Sequence, residues 1–354
     1  MSRPPLPLSL SGLEGAARAA LDPGAFGYIS GGAGDEWTVA ENIAAWQRLS
    51  ILPRVLTGSG KADTAVDVLG TTMPHPIIVA PMAYQRIATP DGEIALTRAA
   101  AATSTTMCLS TLSTVSAHDV AIAVPGTHLW LQVYVFTDRE LTHQIIESAL
   151  ASGYSALVVT VDFPVSGRRQ RDVDSGFVVT QAVPAISATG MDGAFQPHQT
   201  QSQIDPRLSW TDIAEMASRY SVPLLVKGIL TPDDAVRAID AGAAGIVVSN
   251  HGGRQLDGSA ATATVLAGIV DAVAGRGDVM VDGGVRRGSD ILRALALGAS
   301  AVMVGRPLYW GLAVDGATGA QVVLELLLDE LANALILSGA NSARALHRGF
   351  IGPA

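Results

Sequence analysis

The feature that most constrains this chain is a recurring local pattern. Eight short apolar runs, rich in β-branched residues, each end in a small or polar residue. In order they are PIIVAP (76–81), TMCLST (106–111), LWLQVYV (129–135), ALVVTVD (156–162), PLLVKG (223–228), GIVVSNH (245–251), VMVDGG (279–284) and AVMVGR (301–306). Their length and make-up predict strands. Between most of them lie Ala-rich segments of helical spacing, over 93–103, 137–152, 232–241 and 288–297. Thr231-Pro232-Asp233-Asp234 reads as a Thr cap before an N1 proline. Gly153, Gly242 and Gly298 stand where helices should stop.

Eight strands alternating with helices predict an α/β chain folded as a (β/α)8 TIM barrel, over about 75–315. A doubly wound sheet would need fewer strands and usually a glycine-rich turn after the first. Pro81-Met82-Ala83-Tyr84 is not such a turn. Composition agrees: 48% of the 354 residues are apolar but only 5% aromatic. That favours the aliphatic residues that fill parallel strands buried on both faces. The whole chain reads as a single domain. Residues before His75 form a helical extension leading to a capping hairpin. Residues 178–207, after the fourth strand, are polar and follow neither period. They read as a mobile lid-like loop or a disordered spacer.

A net charge of −9 argues against a nucleic-acid surface, so any anion site must be local. The single cysteine, Cys108, sits in an apolar run and reads as a buried thiol. The first nine residues lack the apolar core of a signal peptide, and no run is long enough to span a membrane. We expect a cytoplasmic protein with no membrane partner.

In a barrel the active site forms at the C-terminal strand ends. Here those ends carry Gln132 and Tyr134, Thr160 and Asp162, Lys227, Ser249 and His251, Asp282, and Gly305 with Arg306. A purely structural barrel does not need Lys, His and Asp in these places. Asp282-Gly283-Gly284-Val285-Arg286 and Gly305-Arg306-Pro307 together read as a phosphate clamp of glycines, backbone N–H groups and cations. His251, at a strand end with Arg254 just beyond, is the candidate base. The other histidines, 75, 118, 128, 143, 198 and 347, read as loop, helix or surface residues, and no spacing predicts a metal site. Lys227 is either a structural ion-pair partner or a fixed positive charge facing a cofactor ring.

The run SNHGGRQLDG (249–258) resembles the signature of the FMN-dependent 2-hydroxy acid oxidases and dehydrogenases, which include glycolate, lactate and hydroxymandelate oxidases and mandelate dehydrogenase. So do SGGAGDEWT (30–38), LPRVL (52–56), LQVYV (131–135), TVDFPVSGRR (160–169), LVKGI (225–229), VDGGVRRGSD (281–290) and ALALGASAVMVGRP (294–307). The resemblance spans nearly the whole chain. It implies FMN as cofactor, a small 2-hydroxy acid as substrate and a homotetramer of barrels. It implies that His251 takes a proton from substrate, either from Cα or from the hydroxyl, with Asp162 orienting it. It implies that Arg254 binds the substrate carboxylate, helped by Arg169 and Tyr28, and that Tyr134 contacts the hydroxyl. Lys227 would face the flavin N1 edge. Backbone around Ala80, Pro81, Met82 and Ala83, with Ser110, Gln132, Thr160 and Ser249, would hold the isoalloxazine. Asp282 and Arg286 would hold the ribityl chain, and Gly284, Gly305 and Arg306 the phosphate.

Two positions bear on subtype. Leu112 stands where many glycolate-oxidase-like members have Trp, which implies room for a bulkier substrate side chain. The stretch 80–86 resembles hydroxymandelate oxidases, and Ala83 fits the oxidases rather than the membrane mandelate dehydrogenases. We therefore expect an oxidase that uses O2 and an aryl 2-hydroxy acid such as (S)-mandelate or 4-hydroxymandelate. The alternatives are a lactate- or glycolate-type oxidase, a dehydrogenase with another acceptor, an FMN-dependent isomerase, or a non-enzymatic FMN binder. The last would show an occluded mouth, or His251 and Arg254 turned away from it.

Overall fold

The computed structural model describes residues 9–58 and 60–352. The N-terminal segment judged for a signal peptide lies, through residue 8, outside the described residues. Three helices come first, α1 (Leu10–Ala20), α2 (Pro23–Ser30) and α3 (Trp37–Arg48). Asp22 caps α2 by accepting from Gly24 N at 2.8 Å, with Pro23 at the first helical position. A hairpin of β1 (Val66–Val68) and β2 (Thr71–Met73) follows, turning through Leu69 and Gly70, both of positive φ.

Eight parallel strands then close a barrel in chain order: β3 (Ile77–Val79), β4 (Thr106–Leu109), β5 (Leu129–Val133), β6 (Leu157–Thr160), β7 (Leu224–Ile229), β8 (Gly245–Val248), β9 (Asp278–Val281) and β10 (Ala301–Val304). Each falls on one of the eight apolar runs. The polar residues that end those runs are mostly beyond the paired segments, where they leave the sheet and turn towards the mouth. In β3, β4 and β10 every residue is buried, the state the aliphatic-rich composition implies. Burying each of their Ile, Val, Leu and Met side chains is worth about 1.5–3 kcal/mol.

The crossover helices are α4 (Gly92–Ala102), α5 (Ala117–Ala123), α6 (Arg139–Ala151), α9 (Trp210–Arg219), α10 (Pro232–Asp240), α11 (Thr262–Val273) and α12 (Gly288–Ala296), with two short helices, α7 (Gln170–Ser175) and α8 (Pro184–Ser187), before α9. The expected cap forms: Thr231 Oγ1 accepts from Asp234 N at 3.2 Å. The last helix, α13 (Arg306–Ser338), is broken at Asp315 and Gly316.

The hairpin and the N-terminal helices serve opposite ends of the barrel. Leu69 N donates to Oδ2 of Asp278, the first residue of β9, at 2.7 Å, so the hairpin covers the N-terminal end. Helix α3 lies across the other end. Asn42 and Asn250 exchange amide hydrogen bonds at 2.9 and 2.8 Å, and Trp46 Nε1 donates to Gly283 O at 2.8 Å.

The 178–207 segment is not a structureless spacer. Val179 and Phe195 bridge, α8 forms, and a 3-10 helix spans Pro197–Gln203. Val179, Val183, Ile186 and Ile204 are buried. Its polar sequence hid this because a few isolated apolar residues anchor it, without a repeating period.

Candidate active site

Nearly all the predicted site residues converge on one cavity of about 1130 Å³ counted to its open mouth. Tyr28, Ala80, Pro81, Met82, Ala83, Ser110, Leu112, Gln132, Tyr134, Thr160, Arg169, Lys227, His251, Arg254, Asp282, Gly284, Arg286, Gly305 and Arg306 line it. Asp162 and Ser249 do not. They stand behind His251 and Lys227, each hydrogen-bonded to a lining residue.

One wall is a hydrogen-bonded row across three adjacent strands. Ser110 Oγ donates to Gln132 Oε1 at 3.1 Å, and Gln132 Nε2 donates to Thr160 Oγ1 at 3.0 Å. Next to it, Lys227 Nζ donates to Ser249 Oγ at 3.0 Å and lies 3.3 Å from Asp282 Oδ2. Both readings of Lys227 therefore hold at once: it is ion-paired and it lines the cavity. Burial alone would push its ammonium down, but Asp282 and Asp162 outweigh that and keep it charged. The sheet register shifts between Lys227 and Ile229, at Gly228 of φ +112. A Cβ there would lie 2.6 Å from the Asp162 Cβ, so this bulge needs glycine to bring the two strand ends together.

His251 has φ +57, in the left-handed region that costs a non-glycine residue free energy. Its N–H donates to Ser249 Oγ at 3.0 Å. That conformation turns the ring so that Nδ1 meets Asp162 Oδ1 at 2.9 Å and Nε2 lies 3.4 Å from the Tyr134 hydroxyl. Asp162 accepts from Nδ1–H, leaving the Nε2 lone pair on the cavity side. Burial pushes the imidazole below its ordinary value, and Lys227 and Arg169 add to that against the pull of Asp162. Burial would raise the Asp162 carboxyl, but His251 and Lys227 overcome it and hold the group ionised. Burial, with the Asp162 charge, keeps Tyr134 a phenol and hence a donor.

The cations fall into two groups. Arg254 lies 4.8 Å over the Tyr28 ring, and Arg169 5.8 Å from it. Arg254 Nη1 donates to Gly31 O at 2.9 Å and to Tyr28 O at 2.6 Å, so the end of α2 aims it. Arg306 donates to the carbonyls of Ile29, Gly31 and Gly252. Arg286 donates to Val285 O and lies 5.3 Å over the Trp310 ring. Among the described residues, Arg254, Arg286 and Arg306 have no carboxylate within 4.0 Å. Burial pushes Arg286 down to about 10, and burial with the neighbouring Arg286 and Arg254 pushes Arg306 to about 9. All three are half-buried, and partly desolvated cations without anions carry a cost that a bound anion would offset.

This arrangement fits FMN. Arg286 and Arg306 suit a phosphate. Asp282 Oδ1, buried with no hydrogen-bond partner, suits a hydroxyl donor of a ribityl chain. The Ser110–Gln132–Thr160 row and Lys227 supply donors and acceptors for a flat polar ring. One expectation changes. Gly284, with φ +79, does not serve ligand approach alone: a Cβ there would lie 2.1 Å from Asn42 O, so its bareness lets α3 dock.

Sequence reasoning missed Ile29, Tyr84, Phe163, Pro197 and Thr200 as lining residues. Pro197 and Thr200 come from the 178–207 segment, which thus forms part of the wall. Tyr84 had a signal, because it follows the expected 80–83 stretch. Ile29 belongs to α2, Pro197 and Thr200 to the 3-10 helix of the 178–207 segment, and Phe163 to the stretch just after β6, all brought to the cavity by contacts distant in sequence. The other histidines stay outside the cavity, and no cluster of three potential metal ligands occurs among the described residues. No helix among them is long and apolar enough to cross a membrane. Cys108 is buried, and burial pushes its thiol up. With His251 and Arg254 both on an open cavity, neither mark of a non-catalytic binder is present.

Comparison with known proteins places this geometry. Residues 17–353 match the FMN-dependent dehydrogenase family. An L-lactate oxidase of Nostoc sp. is 42% identical, over 98% of this chain and 98% of its own. Human 2-hydroxyacid oxidase 1 is 41% identical, over 97% of this chain and 96% of its own. The crystal structure of a mandelate oxidase with (S)-4-hydroxymandelic acid superposes with a TM-score of 0.92, at 39% identity and 98% coverage of both chains. The chain belongs to the FMN-dependent dehydrogenase family, and FMN is its cofactor.

Proposed function

We propose that this enzyme oxidises (S)-2-hydroxy acids with an aryl side chain, such as mandelate or 4-hydroxymandelate, to the 2-oxo acid while O2 becomes H2O2. At the coarser level it is an FMN-dependent 2-hydroxy acid oxidase, acting on a CH–OH group with O2 as acceptor. The observation that carries the reading is the meeting of two devices in one cavity. The His251 imidazole, bonded to Asp162 and beside Tyr134, faces the same space as the guanidinium groups of Arg254 and Arg169.

Arg254 and Arg169 hold the substrate carboxylate, and the planar guanidinium offers it two parallel donors. Tyr134 donates its O–H to the substrate oxygen. His251 Nε2 accepts the proton, and Asp162 stabilises the imidazolium that results. The same atom serves removal of the Cα proton or of the hydroxyl proton. Lys227, Asp282, Gln132, Ser110 and Thr160 would hold the ring and ribityl chain of FMN, and Arg286 and Arg306 its phosphate. Bound there, FMN would supply the two-electron acceptor for the substrate, with O2 as the final oxidant.

The aryl preference is supported by Leu112, buried on the cavity wall, and by the likeness to a mandelate oxidase that binds 4-hydroxymandelic acid. A homotetramer and a cytoplasmic location belong to the proposal on family resemblance; one relative is named as peroxisomal. Sedimentation and cell fractionation test them. Aerobic turnover of (S)-mandelate should yield one H2O2 per 2-oxo acid. Product formation without peroxide would instead mean a dehydrogenase.

A further inference from the structure

Phe163 follows Asp162 directly, where the chain leaves β6. Its ring centroid lies 5.1 Å from that of Tyr134 and 6.1 Å from that of His251, tilted by 48° and 38°. It is 7% exposed and lines the cavity. Among the described residues, no other ring packs against either Tyr134 or His251.

A phenyl ring gives neither the imidazole nor the carboxylate a strong hydrogen bond. It does fill space that water would otherwise occupy. Water there would solvate an imidazolium, and would reach Asp162 Oδ2, which is buried with no hydrogen-bond partner. We propose that Phe163 is a positioning residue: it keeps water from the His251–Asp162 pair and so holds His251 as a neutral, proton-accepting imidazole. This rests on the reading of His251 as the base.

The charged and titratable groups that face His251 are Asp162 beyond β6, Lys227 on β7, Arg169 after β6 and Tyr134 beyond β5. Asp162 draws the ring towards its protonated form, whereas Lys227 and Arg169 oppose that. Burial is the strongest influence and acts in the same direction as the two cations. Phe163 is the uncharged ring that supplies burial on this side, so its removal should act through hydration alone.

The test compares Phe163→Ser with Phe163→Leu in the FMN-loaded enzyme. Two readouts are needed: the NMR titration of the His251 ring, assigned with His251→Asn, and the pH dependence of anaerobic flavin reduction. Phe163→Ser should move the His251 titration and the acid limb of the rate profile upward by about one pH unit. Phe163→Leu, which keeps the site apolar, should leave both near wild type. An unmoved His251 titration in Phe163→Ser overturns the proposal, and so does an equal shift in Phe163→Leu. A shifted titration with an unmoved rate profile supports the role of Phe163 and removes His251 as the base. Should Phe163→Ser fail to retain FMN, Phe163→Thr puts a hydroxyl at the same place with more volume.

Discussion

His251 Nδ1 lies 2.9 Å from Asp162 Oδ1, and this bond decides which nitrogen faces the cavity. With Nδ1–H committed to the carboxylate, only Nε2 can accept a proton from substrate. Replacing His251 with Asn should leave FMN bound and slow its reduction by substrate roughly 10²–10⁴-fold. Asp162→Asn should also slow reduction, because an amide cannot stabilise the imidazolium. Stopped-flow absorbance of the flavin checks both. Wild-type reduction in His251→Asn would remove it as the base.

The pH dependence follows from burial of the pair. His251 titrates below its ordinary 6.5, so the accepting neutral form dominates at pH 7. The reduction rate should be level above neutrality and fall as pH drops through a value under 6.5. The Asp162 carboxyl titrates below 3.8. The unfolded chain holds more protons at both sites over these windows. Their contribution to stability is therefore present above the unfolded values and lost as pH falls through the folded ones. Thermal melts against pH, compared with His251→Asn, read the His251 share.

Arg254 is aimed by the carbonyls of Tyr28 and Gly31. Arg254→Lys keeps the charge but loses the planar fork. One charge-assisted hydrogen bond is worth about 1.5–3 kcal/mol, so KM for a 2-hydroxy acid should rise roughly tenfold to a hundredfold. Steady-state kinetics check this, and an unchanged KM would place the carboxylate elsewhere.

Arg306 is half-buried near Arg254 and Arg286 and has no carboxylate beside it among the described residues. Arg306→Met should weaken FMN binding, since the phosphate loses a cation. In the FMN-free protein the gain from removing a half-buried charge with no carboxylate beside it should be offset by the backbone carbonyls of Ile29, Gly31 and Gly252 losing a donor, so the melting temperature should change little. Fluorescence titration and thermal melts separate the two effects. In the wild type, added FMN should raise the melting temperature in step with its concentration.

The barrel was legible because parallel strands buried on both faces leave continuous apolar runs, and all eight runs became its strands. The site was legible for the same reason: Lys227 and His251 stand out against those runs. Other features came from contacts distant in sequence. The left-handed backbone of His251 leaves no decisive local mark, because His is only one of the residue types that occasionally adopt it, and six other non-glycine residues among those described do so too. The carbonyls at the end of α2 that aim Arg254 and Arg306 belong to backbone, which composition does not reveal. Phe163 reads as part of a turn until Tyr134 and His251 are seen on either side. The 178–207 segment is held by scattered anchors such as Val179 and Phe195.

The most direct test of the central claim is anaerobic flavin reduction across a panel of 2-hydroxy acids of differing side chain. The holoenzyme should bleach with (S)-mandelate and (S)-4-hydroxymandelate, faster than with lactate or glycolate. Bleaching only with the small acids would contradict the aryl assignment, and persistent yellow colour across the panel would contradict 2-hydroxy acid oxidation itself.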